Sequence, residues 1–330
     1  MTLHPWRCPA CRGPLEASPD RLDCRSCARS FPLIGGIADL RVDQPHWIDI
    51  DEDRRRAEEL LRLAESRPAA DLVAKVFGDR ESWTARDRER RARQILDGVA
   101  RMERELDEWL RPPTAGPGVF LDLGCGAGQL LAAAARQGRH GIGVDVSLTW
   151  LVCARTLVLE AGGTPVLAAA LAESLPLADA SMAGVVSLDV IEHVGDQTGY
   201  LREIARVLAP GAPAALATPN RYSLTPEPHV GVWGVGWLPR RWQEPYATWR
   251  SGRPYRYCRL LSLWETRGML HAQGLESDVR TGLIPPEELA DSSRARAVAG
   301  RLFNRVVSLP VARRAVLPVC PFFQVLARKG

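Results

Sequence analysis

The chain is organised around Val119–Gln129, V-F-L-D-L-G-C-G-A-G-Q. β-forming residues lead into Asp122. Gly124, Gly126 and Gly128 follow at alternate positions, and Leu130–Arg136 is a helix-forming run. The pattern is a strand, a tight turn and a helix N-terminus. Glycine admits φ > 0 and lets a ligand lie against bare backbone. A helix start presents unpaired N–H groups and a partial positive charge. The stretch therefore predicts a cradle for something polar and flat.

The pattern around it alternates strand and helix. Strands are expected at 118–123, 141–146, 164–169, 184–189 and 212–218, and helices at 128–137, 147–161 and 198–208. Such alternation means a parallel sheet covered on both faces, with ligands at the carboxyl ends of the strands. The second strand, G-I-G-V-D-V-S, ends in Asp145, 17 residues beyond Gly128. A carboxylate there can accept both hydroxyls of a ribose. The glycine spacing is G-x-G-x-G, not the dinucleotide G-x-G-x-x-G. Beyond 218, strands are expected at 275–281 and 322–329, with a helical stretch over 286–318. The apolar and Arg residues of that stretch suit a sheet-covering helix, a dimer contact or a peripheral membrane surface.

Eight cysteines are unevenly placed, four of them in the first 27 residues as Cys8-Pro-Ala-Cys11 and Cys24-Arg-Ser-Cys27. Each C-x-x-C can set two thiolates on one tetrahedral ion, and the intervening residues suit a short hairpin with a Gly13-Pro14 turn. Leu22, Phe31, Leu33, Ile34, Ile37 and Leu40 supply a small apolar cover. So short a segment draws its folding energy from the metal. Residues 1–40 are thus expected to be a zinc ribbon whose Zn2+ is structural, because four thiolates leave no open position. Residues 41–111 are charged and helical in period, a helical linker or lid with Trp83 as a candidate lid contact. Arg111–Gly118 reads as a linker.

The net charge of +4 is modest, and the only lysines are Lys75 and Lys329. The Arg bias accompanies many Ala, Gly and Pro, as in a GC-rich genome, so basic residues alone do not argue for nucleic acid. No apolar run is long enough for a membrane span. The N-terminus has no apolar signal core, so a cytoplasmic protein is expected.

The blocks D-L-G-C-G-A-G-Q, G-V-D-V-S, A-E-S-L-P-L-A-D-A-S-M-A-G-V-V-S-L-D-V-I-E-H-V and L-R-E-I-A-R-V-L-A-P-G-A resemble the successive signatures of class I S-adenosylmethionine-dependent methyltransferases. The closest flavour is the quinone-biosynthesis type. The Cys block resembles the zinc ribbons that accompany or are fused to certain methyltransferases. The resemblance implies an α/β, Rossmann-like seven-stranded sheet, mostly parallel with an antiparallel last strand, over 118–330. It implies that Gly124, Cys125, Gly126 and Gly128 meet the methionine part of S-adenosylmethionine through backbone, and that Asp122 orients the loop or accepts from the ammonium. Asp145 would hold the ribose hydroxyls and Val146 flank the adenine. Ala172 and Glu173 match the pair that meets the adenine edge, although Leu171 stands where the family often has an acid. Asp189 ends the fourth strand and is counted with the cofactor residues.

Glu192-His193 follows at the expected catalytic face, and either could take a proton from an acceptor hydroxyl. The alternative is that the pair only caps a helix and positions the cofactor loop. Residues 219–268 form an insertion dense in Trp, Tyr and Arg, the position where this fold builds its substrate cover. His229 and Tyr222 there are further catalytic candidates. The expected function is methyl transfer to a small-molecule, lipid-like or carrier-linked acceptor. Two other readings stay open: an RNA-modifying enzyme that docks RNA with the ribbon, which is not favoured, and a non-catalytic or non-methylating S-adenosylmethionine-binding protein. The sequence leaves the oligomeric state undetermined.

Overall fold

Four short strands open the chain: β1 (Leu15–Ala17), β2 (Arg21–Cys24), β3 (Ser30–Ile34) and β4 (Ile37–Asp39), paired antiparallel in sequence. The β3–β4 turn is Gly35-Gly36, with φ of 59° and 82°, the left-handed pair that a two-residue hairpin turn demands. The computed structural model describes residues 5–45, 47–79, 84–109, 118–284, 289 and 294–330. Trp83, the linker from 111 to 117 and residues 286–288 and 290–293 of the expected C-terminal helix lie outside the described residues. By compactness the chain forms two units, 1–187 with 196–214 and 328–330, and 188–195 with 215–327.

In the first unit β4 does not stop at the ribbon. It pairs parallel with β7 (Leu167–Ala169), Ala38 opposite Ala168. The order continues through β6 (Gly141–Asp145), β5 (Phe120–Leu123) and β8 (Gly184–Leu188), all parallel. The glycine turn and Asp145 thus end neighbouring strands, with Leu123 opposite Val144. β7 starts at Leu167 rather than at 164, since Pro165 has no N–H for a ladder.

Helices α1 (Ile50–Ala64), α2 (Ala69–Gly78), α3 (Ala85–Trp109), α4 (Gln129–Arg136), α5 (Leu148–Glu160) and α6 (Gln197–Val207) complete this unit. α1 and α2 pack on α5, and α3 packs on α4. Ala132, Ala133 and Ala134 of α4 are fully buried, and side chains this small let α3 approach closely. Phe77 of α2 meets Trp150 of α5 edge-on at 5.4 Å. The ribbon is tied down by Arg7 N to Pro176 O (2.9 Å), Ser174 Oγ to Pro9 O (2.9 Å) and Arg12 to Glu203 (3.3 Å).

The second unit takes up the rest of β9 (Pro213–Pro219) beside β11 (Phe322–Lys329) and β10 (Leu275–Arg280), in the order β9-β11-β10. Asn220 N donates to Pro321 O in this unit. In the first, Gly211 N donates to Lys329 O. That reversed pairing makes β11 antiparallel to β9. The expected seven strands are thus found over 118–330, and among the described residues the sheet runs to eleven. The seven from β5 onward are present, and the ribbon adds four through β4.

The insertion contains a helix the sequence did not suggest, α7 (Arg240–Ser251), which carries Pro245 within it. It is followed by α8 (Leu263–Ala272), started by a Ser262/Glu265 capping box. Val232, Val235, Ala247 and Tyr255 make a small core, while Trp233, Trp237, Trp242 and Trp249 are exposed. The single helical stretch expected over 286–318 is corrected to α9 (Arg294–Val307) and α10 (Pro310–Val316). The break falls before Pro310, whose ring excludes a continuing helix. Among the described residues no helix is long and apolar enough to cross a membrane.

Candidate functional site

The glycine turn is left-handed at three positions, with φ of 77° at Gly124, 50° at Gly126 and 81° at Gly128. A Cβ on Gly128 would lie 2.8 Å from Ala154 Cβ, whereas one on Gly126 would meet nothing within 4 Å. Gly128 is thus needed for α4 to pass close to α5, and Gly126 keeps a space clear of side chain. The turn's N–H groups are spent inside the protein. Gly124 and Cys125 donate to Val144 O (2.7 and 3.2 Å), Gly128 donates to Cys125 O (2.8 Å), and Gly126 donates to Asp145 Oδ2 (2.9 Å). The turn's own N–H groups at these four residues are thus bonded within the protein.

Two acids adjoin the turn. Asp122 is buried, and burial together with the Asp145 charge pushes it up to about 8. Burial raises Asp145 too, against the N–H groups of Ser147 and Gly126 that bind its oxygens at 2.9 Å. A cradle lined by two carboxyl groups suits a ligand bearing positive charge and hydroxyl donors.

Behind Asp145 lies a network that the sequence did not reveal. Arg41, just past β4, is fully buried and holds Asp39 bidentately at 2.7 and 2.8 Å. Its Nη1 reaches Asp53 Oδ2 at 2.6 Å and the Val146 carbonyl at 3.0 Å. Asp53 in turn accepts from Leu148 N (2.7 Å), Thr149 N (3.2 Å), Thr149 Oγ1 (2.6 Å) and Ser147 Oγ (3.1 Å). Burial works against Asp39, but Arg41 and Arg54 hold its carboxyl below the ordinary value. Asp53 therefore caps α5. The strand that leaves the ribbon is bonded directly to the segment carrying Asp145 and Val146. Glu173, half-buried, accepts from Asp196 N at 3.3 Å, and Ala172 precedes it in the same loop.

The four N-terminal cysteines converge. Cys8 and Cys27 sulfurs are 3.6 Å apart, Cys11 and Cys24 sulfurs 3.4 Å, and all four lie within 4.8 Å of one another. A tetrahedral ion with metal–sulfur bonds of about 2.3 Å has sulfur edges of about 3.8 Å. A disulfide needs about 2.05 Å. The cluster fits a metal ion, not two disulfides.

In the second unit, Glu192 is buried and its Oε2 accepts from Thr218 Oγ1 at 3.0 Å. Among the described residues its Oε1 has no hydrogen-bond partner. Burial and the Asp189 carboxylate push Glu192 up to about 8. Asp189 itself sits at φ 56°, an uncommon conformation for a non-glycine residue. His193 Nε2 faces His229 Nε2 at 3.2 Å, and His229 Nδ1 lies 2.5 Å from Glu227 Oε1. Burial lowers His193. Burial opposes charging of His229 as well, but bonds to Cys258 and Glu227 outweigh it and raise it to about 10. Tyr222 stands apart from this cluster. Its ring packs on Trp237 at 5.2 Å, with the Arg221 guanidinium over it at 4.9 Å.

Of the candidates in this unit, His193, His229 and Glu192 thus occur with partners the sequence did not single out: Glu227, Tyr257, Cys258 and Thr218. Only the proximity of Glu227 to His229 in P-E-P-H was a usable signal.

Residues 121–216 match the family model described as a methyltransferase domain. A ubiquinone biosynthesis O-methyltransferase of Chelativorans sp. is 30% identical over 165 residues, which are 50% of this chain and 61% of that one. A probable S-adenosylmethionine-dependent methyltransferase of Mycobacterium tuberculosis is 41% identical over 109 residues, 32% of this chain and 37% of that one. Among solved structures, the YcgJ protein of Bacillus subtilis aligns with 71% of this chain and 98% of its own, at 20% identity and a TM-score of 0.44. The chain spans about half the length of the curated relatives it matches, from 43% to 62% for the first four.

Proposed function

We propose that this chain, which carries a class I S-adenosylmethionine-dependent methyltransferase domain, transfers a methyl group to a small-molecule, lipid-like or carrier-linked acceptor. The observation that carries this reading is the cradle at the ends of β5 and β6. Its N–H groups at 124–126 and 128 are used internally, and the carboxyl groups of Asp122 and Asp145 line it. S-adenosylmethionine has the matching chemistry, an ammonium and a sulfonium as positive charges and a ribose diol as donor. The space kept open at Gly126 suits such a group, so the residues fit it.

When bound, S-adenosylmethionine supplies an electrophilic methyl group. The chain's own residues bind and orient it. Asp145 takes the ribose hydroxyls, Asp122 and the carbonyls of Gly124 and Gly126 take the ammonium side, and Val146, Ala172 and Glu173 border the adenine. Glu192 is the proton acceptor for an acceptor hydroxyl. Its Oε1 has no partner among the described residues, Thr218 fixes the opposite oxygen, and its raised pKa of about 8 makes it a stronger base once ionised. His193 is less suited, because its Nε2 is taken up by His229. Methyl transfer also gains from proximity and orientation, so loss of the base should slow the reaction without abolishing it. The four-cysteine cluster holds a structural Zn2+ in this reading, fixing the ribbon and through Arg41 the Asp53 cap.

Titration calorimetry tests the donor assignment. S-adenosylmethionine should bind with a Kd on the order of micromolar, and Asp145→Ala should weaken it by about a hundredfold or more. Unchanged affinity in that variant overturns the assignment.

A further inference from the structure

None of the residues assigned to donor binding belongs to the Glu227–His229–His193 chain of contacts, a polar cluster of the second unit. Glu227 is buried. Its Oε2 accepts from the backbone N–H of His229 (2.9 Å) and Val230 (3.0 Å), and its Oε1 faces His229 Nδ1 at 2.5 Å. His193 Nδ1 faces the Tyr257 carbonyl at 3.4 Å. Tyr257 is held at φ 62°, a strained setting of the kind that gathers at functional sites.

Both imidazoles therefore have an acceptor at Nδ1, which places a proton on each Nδ1 and a lone pair on each Nε2. Those two Nε2 atoms are 3.2 Å apart, with the rings crossing at 88°. Two lone pairs do not face one another at that distance unless a cation lies between them. That cation is either a proton or a metal ion.

The surroundings decide between them. A tetrahedral ion with metal–nitrogen bonds of 2.0–2.1 Å has nitrogen edges of about 3.3 Å, close to the spacing seen. Metal-bound histidines characteristically donate the other ring N–H to a carboxylate or a backbone carbonyl. Glu227 and the Tyr257 carbonyl are such partners. A third donor is also at hand. Cys258 Sγ is 3.4 Å from His229 Nδ1, and one ligand atom each from His193, His229 and Cys258 all fall within 4.8 Å.

We propose that His193, His229 and Cys258 form a second metal site, for zinc or a similar borderline divalent ion. Two imidazoles and one thiolate leave one position of a tetrahedron for an exogenous oxygen or nitrogen ligand, unlike the closed four-cysteine site. Binding would displace the thiol proton of Cys258 and any proton shared between the Nε2 atoms. The inference does not depend on the methyl-transfer reading.

The test uses the full chain, stripped with a chelator and reloaded separately with Zn2+ and Co2+, with metal content measured by elemental analysis. Wild type should retain about two ions per chain. His229→Ala, His193→Asn and Cys258→Ser should each retain about one, with far-UV circular dichroism unchanged. Cys24→Ser should lose the other ion and keep this one. With cobalt, the thiolate charge-transfer band remaining in Cys24→Ser should vanish when Cys258→Ser is added. One ion per chain in wild type, unchanged by the histidine and Cys258 variants, means a shared proton only and overturns the proposal. The Cys258→Ser spectrum reports on the site even if a histidine variant fails to fold.

Discussion

Arg41→Met is the perturbation that probes most of the architecture at once. The side chain is fully buried between Asp39 and Asp53, and it also bonds the Val146 carbonyl beside the donor cradle. Methionine keeps the bulk and removes the charge. Its loss strands two buried carboxylates, and breaking a buried pair in this way costs about 3–5 kcal/mol. The remaining partners keep the figure from going higher: Asp39 retains Arg54 at 2.8 Å, and Asp53 retains the Ser147, Leu148 and Thr149 donors.

At about 2–4 °C per kcal/mol, the unfolding midpoint should fall by ~6–20 °C. Arg54 is the internal control. It contacts the same Asp39 but is partly exposed, so Arg54→Ala should cost about 1 kcal/mol or less. Urea unfolding followed by circular dichroism gives both numbers. S-adenosylmethionine affinity, by calorimetry, should fall about tenfold in Arg41→Met as the start of α5 loosens. A variant within about 1 kcal/mol of wild type, or a larger effect from Arg54→Ala, refutes the reasoning.

Three other perturbations follow from the same geometry. Glu192→Gln should reduce kcat by about a hundredfold or more, within the range for removal of a general base, with little change in S-adenosylmethionine affinity. A parallel loss of affinity would instead assign Glu192 to cofactor positioning. Asp122 is raised to about 8 in the fold and titrates near 4 when unfolded, so the native state holds the extra proton between those values. Its contribution to stability is present at low pH and is lost as pH rises from about 4 towards 8. The urea midpoint of Asp122→Asn should therefore vary less with pH over that window than that of wild type. Gly128→Ala combines a left-handed φ of 81° with a 2.8 Å contact to Ala154. It should destabilise the fold by about 1–3 kcal/mol, whereas Gly126→Ala should spare stability more than ligand affinity.

The parts of the fold legible in the sequence are those written locally. The run 118–218 announces its strands and helices because apolar period and glycine turns are short-range signals. The C-x-x-C pairs announce their cluster by spacing. What stayed hidden is tertiary. β4 is only Ile-Ala-Asp, too short to declare that it would extend the main sheet. Asp53 reads as one acid in a charged helix, and nothing local ties it to Ser147 and Thr149. Nothing local announced that Val144 and Asp145, on the neighbouring strand, would take the N–H groups of Gly124, Cys125 and Gly126. In the insertion, the density of Trp, Tyr and Arg suggested a substrate cover, and several of the Trp rings are exposed. The buried and half-buried polar chemistry lies in Glu227, His229, Tyr255 and Cys258, which no periodicity marks.

The central claim is methyl transfer to a small or lipid-like acceptor, and isotope transfer tests it most directly. The purified chain, incubated with methyl-labelled S-adenosylmethionine and separated metabolite, lipid and RNA fractions, should label the metabolite or lipid fraction, with label falling by about a hundredfold in Glu192→Gln. Label confined to RNA, or tight donor binding with no transfer to any fraction, would contradict the account.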